Sequence, residues 1–370
     1  MIEIDLSSRN YIQFLQYCLG KRRSLPDSAR DIDWKKMLVW AESQAIVGII
    51  YSGIDDGRCQ MDDGRNKLQI PFDILMQWIG YGQQIEARNR LLNKRCVEIA
   101  DKMKALGLGC CILKGQANAW MYPNPLSRTA GDIDLLVLGN RKEVTKFVRE
   151  KYSHVHENYI HIDYPVFKDV AVELHFLPSY ANNPIYNKRI QKWYRKMLGE
   201  RCLTDEVKLP EGGGRIPVSS VEFNIIYQLM HMMHHFFDEG IGLRQMIDYY
   251  YLLRNAKDDV RSKLPDIRET LKYLNLNKFS GAVMYIMKEV LGLEEDYLIG
   301  SVDERRGKTL LKEILSGGNF GHSSSLDQNN AAKKYFQKTW RNMQLVKEYP
   351  TEALCEPVFR TWHFFWRQFH

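Results

Sequence analysis

One stretch near the middle of the chain, Gly131-Asp132-Ile133-Asp134-Leu135-Leu136-Val137, restricts the possible folds more than any other. It sets two carboxylates one residue apart inside an apolar run that favours a β-strand. Side chains alternate between the faces of a strand, so Asp132 and Asp134 project together while Ile133, Leu135 and Val137 face the other way. A half-exposed strand can carry Asp-x-Asp as nothing more than its wet face. The unbroken run Leu135-Leu136-Val137-Leu138 argues instead for a strand covered on both sides. Two carboxylates held together there repel each other unless a cation lies between them.

Two flanking motifs fit that chemistry. Downstream, Val170-Ala171-Val172-Glu173-Leu174-His175-Phe176 is a second strand-like run with one acid, Glu173. Beside the first strand it would complete a set of hard oxygen donors suited to Mg2+. Upstream, Cys110-Cys111-Ile112-Leu113 reads as a short buried strand, Lys114-Gly115 as its turn, and residues 116–121 as the start of a helix. Glycine lets the backbone approach a ligand closely, a helix start offers free N–H groups to a phosphate, and Lys114 adds a point charge.

This order resembles the nucleotidyltransferase fold of the DNA polymerase β superfamily, and more closely a bacterial family of uncharacterised nucleotidyltransferases. The resemblance rests on Leu113-Lys114-Gly115, Tyr122-Pro123-Asn124-Pro125, Arg128, the 131–137 run and Val172-Glu173-Leu174-His175, and extends loosely to a histidine-rich helix near residue 231. It implies an α+β fold: a core with a small mixed sheet and helices, flanked by N- and C-terminal helical regions. It also implies metal-dependent transfer of a nucleoside monophosphate from a nucleoside triphosphate to a hydroxyl acceptor, with release of pyrophosphate. Asp132, Asp134 and Glu173 fall on the superfamily's catalytic carboxylates, which hold two Mg2+ or Mn2+ ions, with Glu173 on the acceptor side and available as a base. Lys114, Gly115, Arg128 and Gly131 would surround the nucleotide. The wider superfamily places Gly-Ser or Gly-Gly at its phosphate turn. Here Gln116 follows Gly115, so phosphate binding is expected to rest on Lys114 and Arg128.

Other residues carry weaker signals. His231, His234 and His235 share one helix face. Their spacing can bind zinc, but Met232 stands where a His-Glu-x-x-His site has its glutamate, and packing or lining of the acceptor site is the expectation. His175 lies on the face of Glu173. With His231, His235 and Arg244 it is an acceptor-side candidate, while Arg244 and Asp248 read equally well as a structural ion pair. The aromatic-basic run 361–369 suits a terminal helix docked on a core, ahead of base stacking or a membrane surface.

The chain has 370 residues, enough for two or three domains with real cores. A net charge of +7 suits a triphosphate and is compatible with nucleic acid. No apolar run reaches the length of a membrane span, the start Met1-Ile2-Glu3-Ile4-Asp5 lacks the features of a secretion signal, and seven cysteines without regular spacing give no disulfide framework, so a cytoplasmic protein is expected. Residues 1–108 read as helical, with helices at 11–19, 34–51 and 71–106 and turns at 55–57 and 62–64. Residues 109–215 form the α/β core, with helices at 141–151 and 185–198, a strand pair at 156–164 and 166–176, and a flexible glycine loop at its end. Residues 216–370 are helical again, opening at the cap Ser219-Ser220-Val221-Glu222, with a mobile loop over 316–330. Two rival readings keep the same fold: a non-catalytic nucleotide-binding or regulatory protein, which the complete acid trio disfavours, and a nucleic-acid-binding protein. The expected acceptor is a small molecule ahead of a protein or RNA. One sequence holds no code for which one, or for which nucleotide.

Overall fold

In the computed structural model, which describes residues 6–22, 24–55, 68–199, 205–319 and 331–366, the N-terminal apolar periodicities become α1 (Leu6–Cys18), α2 (Trp34–Ser43), α3 (Val47–Asp55) and α4 (Phe72–Ala105). The helix expected over 34–51 is broken before Val47, where Ala45 takes a positive φ of 56°. The turn expected at 62–64 lies outside the described residues.

The middle of the chain alternates β1 (Cys110–Ile112), α5 (Gln116–Ala119), β2 (Ile133–Val137), α6 (Arg141–Arg149), β3 (His161–Asp163), β4 (Val172–His175), α7 (Pro184–Gly199), β5 (Asp205–Lys208) and β6 (Arg215–Val218). The strands form one mixed sheet in the order β3-β4-β2-β1-β6-β5. β2 is parallel to β4 and β1 to β6, and the remaining neighbours are antiparallel. The strand pair expected at 156–164 and 166–176 is present as β3 and β4. The glycine run read as a flexible loop is instead the turn of the β5–β6 hairpin, closed by Leu209 N donating to Gly214 O at 2.9 Å. Gly212 and Gly214 have φ of 73° and 94° there, backbone that a side chain strains. The sheet thus reaches Val218.

Alternation along the strands separates two cores. Ile133, Leu135, Val137, Ile162, Val172 and Leu174 pack with Leu92, Cys96, Ile99 and Met103 of α4 and Val144 and Val148 of α6. Cys111 and Leu136 point the other way, into a larger core built mainly from helices. β2 is therefore covered on both faces, which explains its unbroken apolar run.

The C-terminal part comprises α8 (Val221–Asp238), α9 (Leu243–Asn255), α10 (Lys257–Tyr273), α11 (Asn277–Tyr285), α12 (Glu304–Gly317), α13 (Ala331–Gln344) and α14 (Pro350–Trp366). Ser220 caps α8 by accepting from Phe223 N. The loop expected over 316–330 falls outside the described residues from 320 on, as does the aromatic run from 367. No helix among the described residues is long and apolar enough to cross a membrane.

Candidate active site

Strand register assembles the acids. Asp134 and Glu173 are direct partners across the parallel β2–β4 pair, and Asp132 lies just before β2 on the same side. Oxygens of Asp132, Asp134 and Glu173 all lie within 4.8 Å of one another, so they can reach a common cation. The charge of Asp134, aided by burial, pushes the Asp132 carboxyl above its usual range. Burial acts on Asp134 in the same sense, but Lys114 and a hydrogen bond from His175 outweigh it and hold that carboxyl low.

His175 is set among these acids. Its Nε2 is 3.0 Å from Asp134 Oδ1 and 3.3 Å from Glu173 Oε2. Burial disfavours the charged ring, yet the two carboxylates raise its pKa to about 9, so it is an imidazolium at neutral pH. His161 was missed in the sequence. β3 pairs it with His175 and aims its Nδ1 at Glu173 Oε2, 2.9 Å away. Against the cost of burial, these two imidazoles hold the Glu173 carboxyl far below the usual carboxylate range. The available signal was His161-Ile162-Asp163, a polar-apolar-polar alternation whose importance appears only once β3 lies beside β4.

The Lys114 turn reaches the acids from the β1 side, opposite β4. Leu113 N donates to Asp134 O at 3.0 Å, and Gly115 follows with φ of 60°. Lys114 Nζ lies 3.2 Å from Asp134 Oδ2 and donates to His231 Nε2 at 3.3 Å. Burial and the Lys114 charge push the His231 pKa well below its ordinary value, leaving a neutral acceptor ring. The helix expected after the turn is only the four residues of α5, too short to supply a helix-end anion site.

Arg128, expected at the phosphates, lines the cleft and is paired with Asp248. Its Nε and Nη2 each donate to Asp248 at 2.7 Å, deep in the protein, and Tyr122 Oη donates to the same carboxylate at 2.6 Å. Arg244 reaches the same loop. Its Nη1 donates to Thr129 O at 3.3 Å, and burial lowers its pKa to about 10. The long helix α4 pins the same loop, with Asn89 Nδ2 donating to the carbonyls of Leu126 and Arg128 at 2.8 Å each. Arg88 fixes the following turn by donating to Gly131 O at 3.4 Å.

The three carboxylates, His161, His175, Lys114, Arg244 and the Arg128–Asp248 pair line one cleft of about 1150 Å³. His231, His234 and His235 of α8 also face it, as do Tyr180 of the loop after β4 and Phe359 of α14. Among the described residues, no cluster of metal-ligand side chains includes the α8 histidines. α14 is buried at Glu352, Ala353 and Glu356, whereas Trp362, Phe364 and Phe365 of the run expected to dock are exposed.

No match is found among curated proteins. Among solved structures, the chain is similar to an antigenic nucleotidyltransferase-like protein from Paracoccidioides brasiliensis, with 16% identity and a TM-score of 0.29 over 49% of this chain and 92% of that one. Residues 30–292, which include every acid and imidazole of the carboxylate cluster, match the family described as uncharacterised nucleotidyltransferase, and the chain belongs to that family.

Proposed function

We propose that the protein transfers a nucleoside monophosphate from a nucleoside triphosphate to a small hydroxyl-bearing acceptor, with Asp132, Asp134 and Glu173 holding two Mg2+ or Mn2+ ions. The observation that carries this reading is the β2–β4 register, which pairs Asp134 with Glu173 beside Asp132. The donor set fits a hard dication. All its ligand atoms are carboxylate oxygens, and the raised Asp132 carboxyl records a repulsion that a cation would relieve. Bound there, the ions would offset triphosphate charge and acidify an acceptor hydroxyl.

The chain's own groups divide the remaining work. Lys114, at the cleft wall beside Asp134, is placed to meet phosphate oxygens. His175 and His161 orient Glu173 from two sides. A carboxylate stabilised so strongly in its ionised form suits ligation better than proton abstraction, so we assign Glu173 as a ligand in place of a base. Arg128 braces the loop that ends in Asp132 and leaves the phosphates to Lys114.

The test is pyrophosphate release from each nucleoside triphosphate with Mg2+ and a panel of hydroxyl acceptors. Glu173→Gln keeps side-chain size and should lower turnover by about 100-fold or more with nucleotide affinity nearly unchanged. Turnover close to wild type in that variant would refute the three-carboxylate reading.

A further inference from the structure

The cleft continues past Glu173, away from Lys114. Sheet order sets the direction: Lys114 follows β1, the acids lie on β2 and β4, and His161 lies on β3 at the edge. An in-line displacement needs its donor phosphate and its acceptor hydroxyl on opposite sides of the reacting centre. If Lys114 marks the donor side, the β3 side belongs to the acceptor.

That side is an aromatic wall. Tyr159, two residues before His161, meets Tyr180 edge-on with ring centroids 5.2 Å apart. Tyr180 stacks on Phe359 at 4.6 Å and 30°, and touches the His234 ring at 4.4 Å. Phe359 stacks in turn against His363 at 5.9 Å and 27°. All five line the cleft.

Two observations indicate what this wall would bind. Its charged groups are already paired: Lys338 with Asp238 and Glu356, and Arg360 with Glu356 at 3.2 Å. Burial pushes the His234 pKa well below its ordinary value. An anionic ligand therefore gains little here. Moreover, His234 Nδ1 is buried with no hydrogen-bond partner among the described residues. A stack of rings lining an open cleft favours a ligand that brings a ring of its own.

We propose that Tyr159, Tyr180, His234, Phe359 and His363 form the acceptor subsite, and that the acceptor is an uncharged, planar ring compound bearing a hydroxyl. The proposal rests on the nucleotidyl-transfer reading for the word acceptor, but its binding chemistry stands on the wall itself. Phe359 and His363 are supplied by α14, beyond residues 30–292 that match the family.

Ligand-observed NMR on the full chain, with Mg2+ and a non-hydrolysable nucleoside triphosphate analogue, tests it directly. The probes are adenosine and 4-hydroxybenzyl alcohol against glucose and glycerol. The ring compounds should bind and the polyols should not. Phe359→Leu keeps the apolar packing of α14 and should weaken ring binding about ten-fold, the scale of one lost stacking contact. His363→Ala, on the same helix face, should act in the same direction if Phe359→Leu folds poorly. Nucleotide affinity should move less than about two-fold in either variant, far below that stacking effect. Equal binding of rings and polyols, or ring binding unchanged in both variants, would overturn the proposal. So would an equal loss of nucleotide affinity, which would assign the wall to the nucleobase. Ring binding that depends on Phe359 in a protein that never releases pyrophosphate would support the subsite while removing the transfer reading.

Discussion

Arg128 and Asp248 stand 120 residues apart and meet in a buried, two-pronged ion pair, both contacts at 2.7 Å. The pair ties the loop entering β2 to helix α9, and Tyr122 Oη adds a third hydrogen bond. Asp132 is held in place by this connection between the sheet and the C-terminal helices.

Removing one member leaves an unpaired charge in the interior. Asp248→Ala should therefore destabilise the protein by roughly 3–5 kcal/mol, measured by urea unfolding. A loss below about 1 kcal/mol would show that water reaches Arg128 and that the pair braces nothing.

The two aspartates of the Asp-x-Asp strand should separate in their effect on stability. Asp132 is repelled by Asp134, so Asp132→Asn should leave metal-free stability level or slightly raised. Asp134 is buried against Lys114 and His175, and Asp134→Asn should cost roughly 3–5 kcal/mol. Mg2+ or Mn2+ should raise the melting temperature of the wild type, and both variants should lose that rise. Identical metal-free melting of the two would contradict the asymmetry.

Lys114 has an existing partner in Asp134, so its loss affects more than phosphate. Lys114→Met should raise the KM for nucleotide about ten-fold while kcat falls less. Steady-state kinetics over a nucleotide series measures both. An unchanged KM would leave Lys114 as a counter-ion of Asp134 alone.

A pH effect is expected at the foot of α14. Glu352 accepts a hydrogen bond from Asn182 N at 2.9 Å, and burial raises its carboxyl from 4.5 to about 7. The native carboxyl binds its proton more tightly than the unfolded one. The stability contributed by that proton is thus complete below pH 4.5 and is lost as pH rises through 7. Glu352→Gln cannot ionise, so its stability relative to wild type should rise by roughly 2–3 kcal/mol between pH 4.5 and pH 8. Denaturant titrations at several pH values would reveal it, and a pH-independent difference would rule out the protonated buried acid.

Local pattern determined the parts of the site that depend on period and chain geometry. The two-residue alternation of 132–137 placed the aspartates opposite Ile133, Leu135 and Val137, and those three residues do pack together under the sheet. The Lys114-Gly115 turn and the long α4 were readable in the same way, since glycine and helical spacing act over a few residues. Tertiary structure decided every partnership across a long loop. His161 looks like any strand residue until β3 lies antiparallel to β4 and faces it toward Glu173. The charge of Arg128 is visible in the sequence, whereas its pairing with Asp248, 120 residues away, is not. The β5–β6 hairpin resembled a flexible boundary because a glycine run encodes a turn without saying whether the flanking strands find a sheet. Local steric rules fix which face a side chain takes. Which distant element covers that face depends on how the whole chain closes, and no short spacing carries that information.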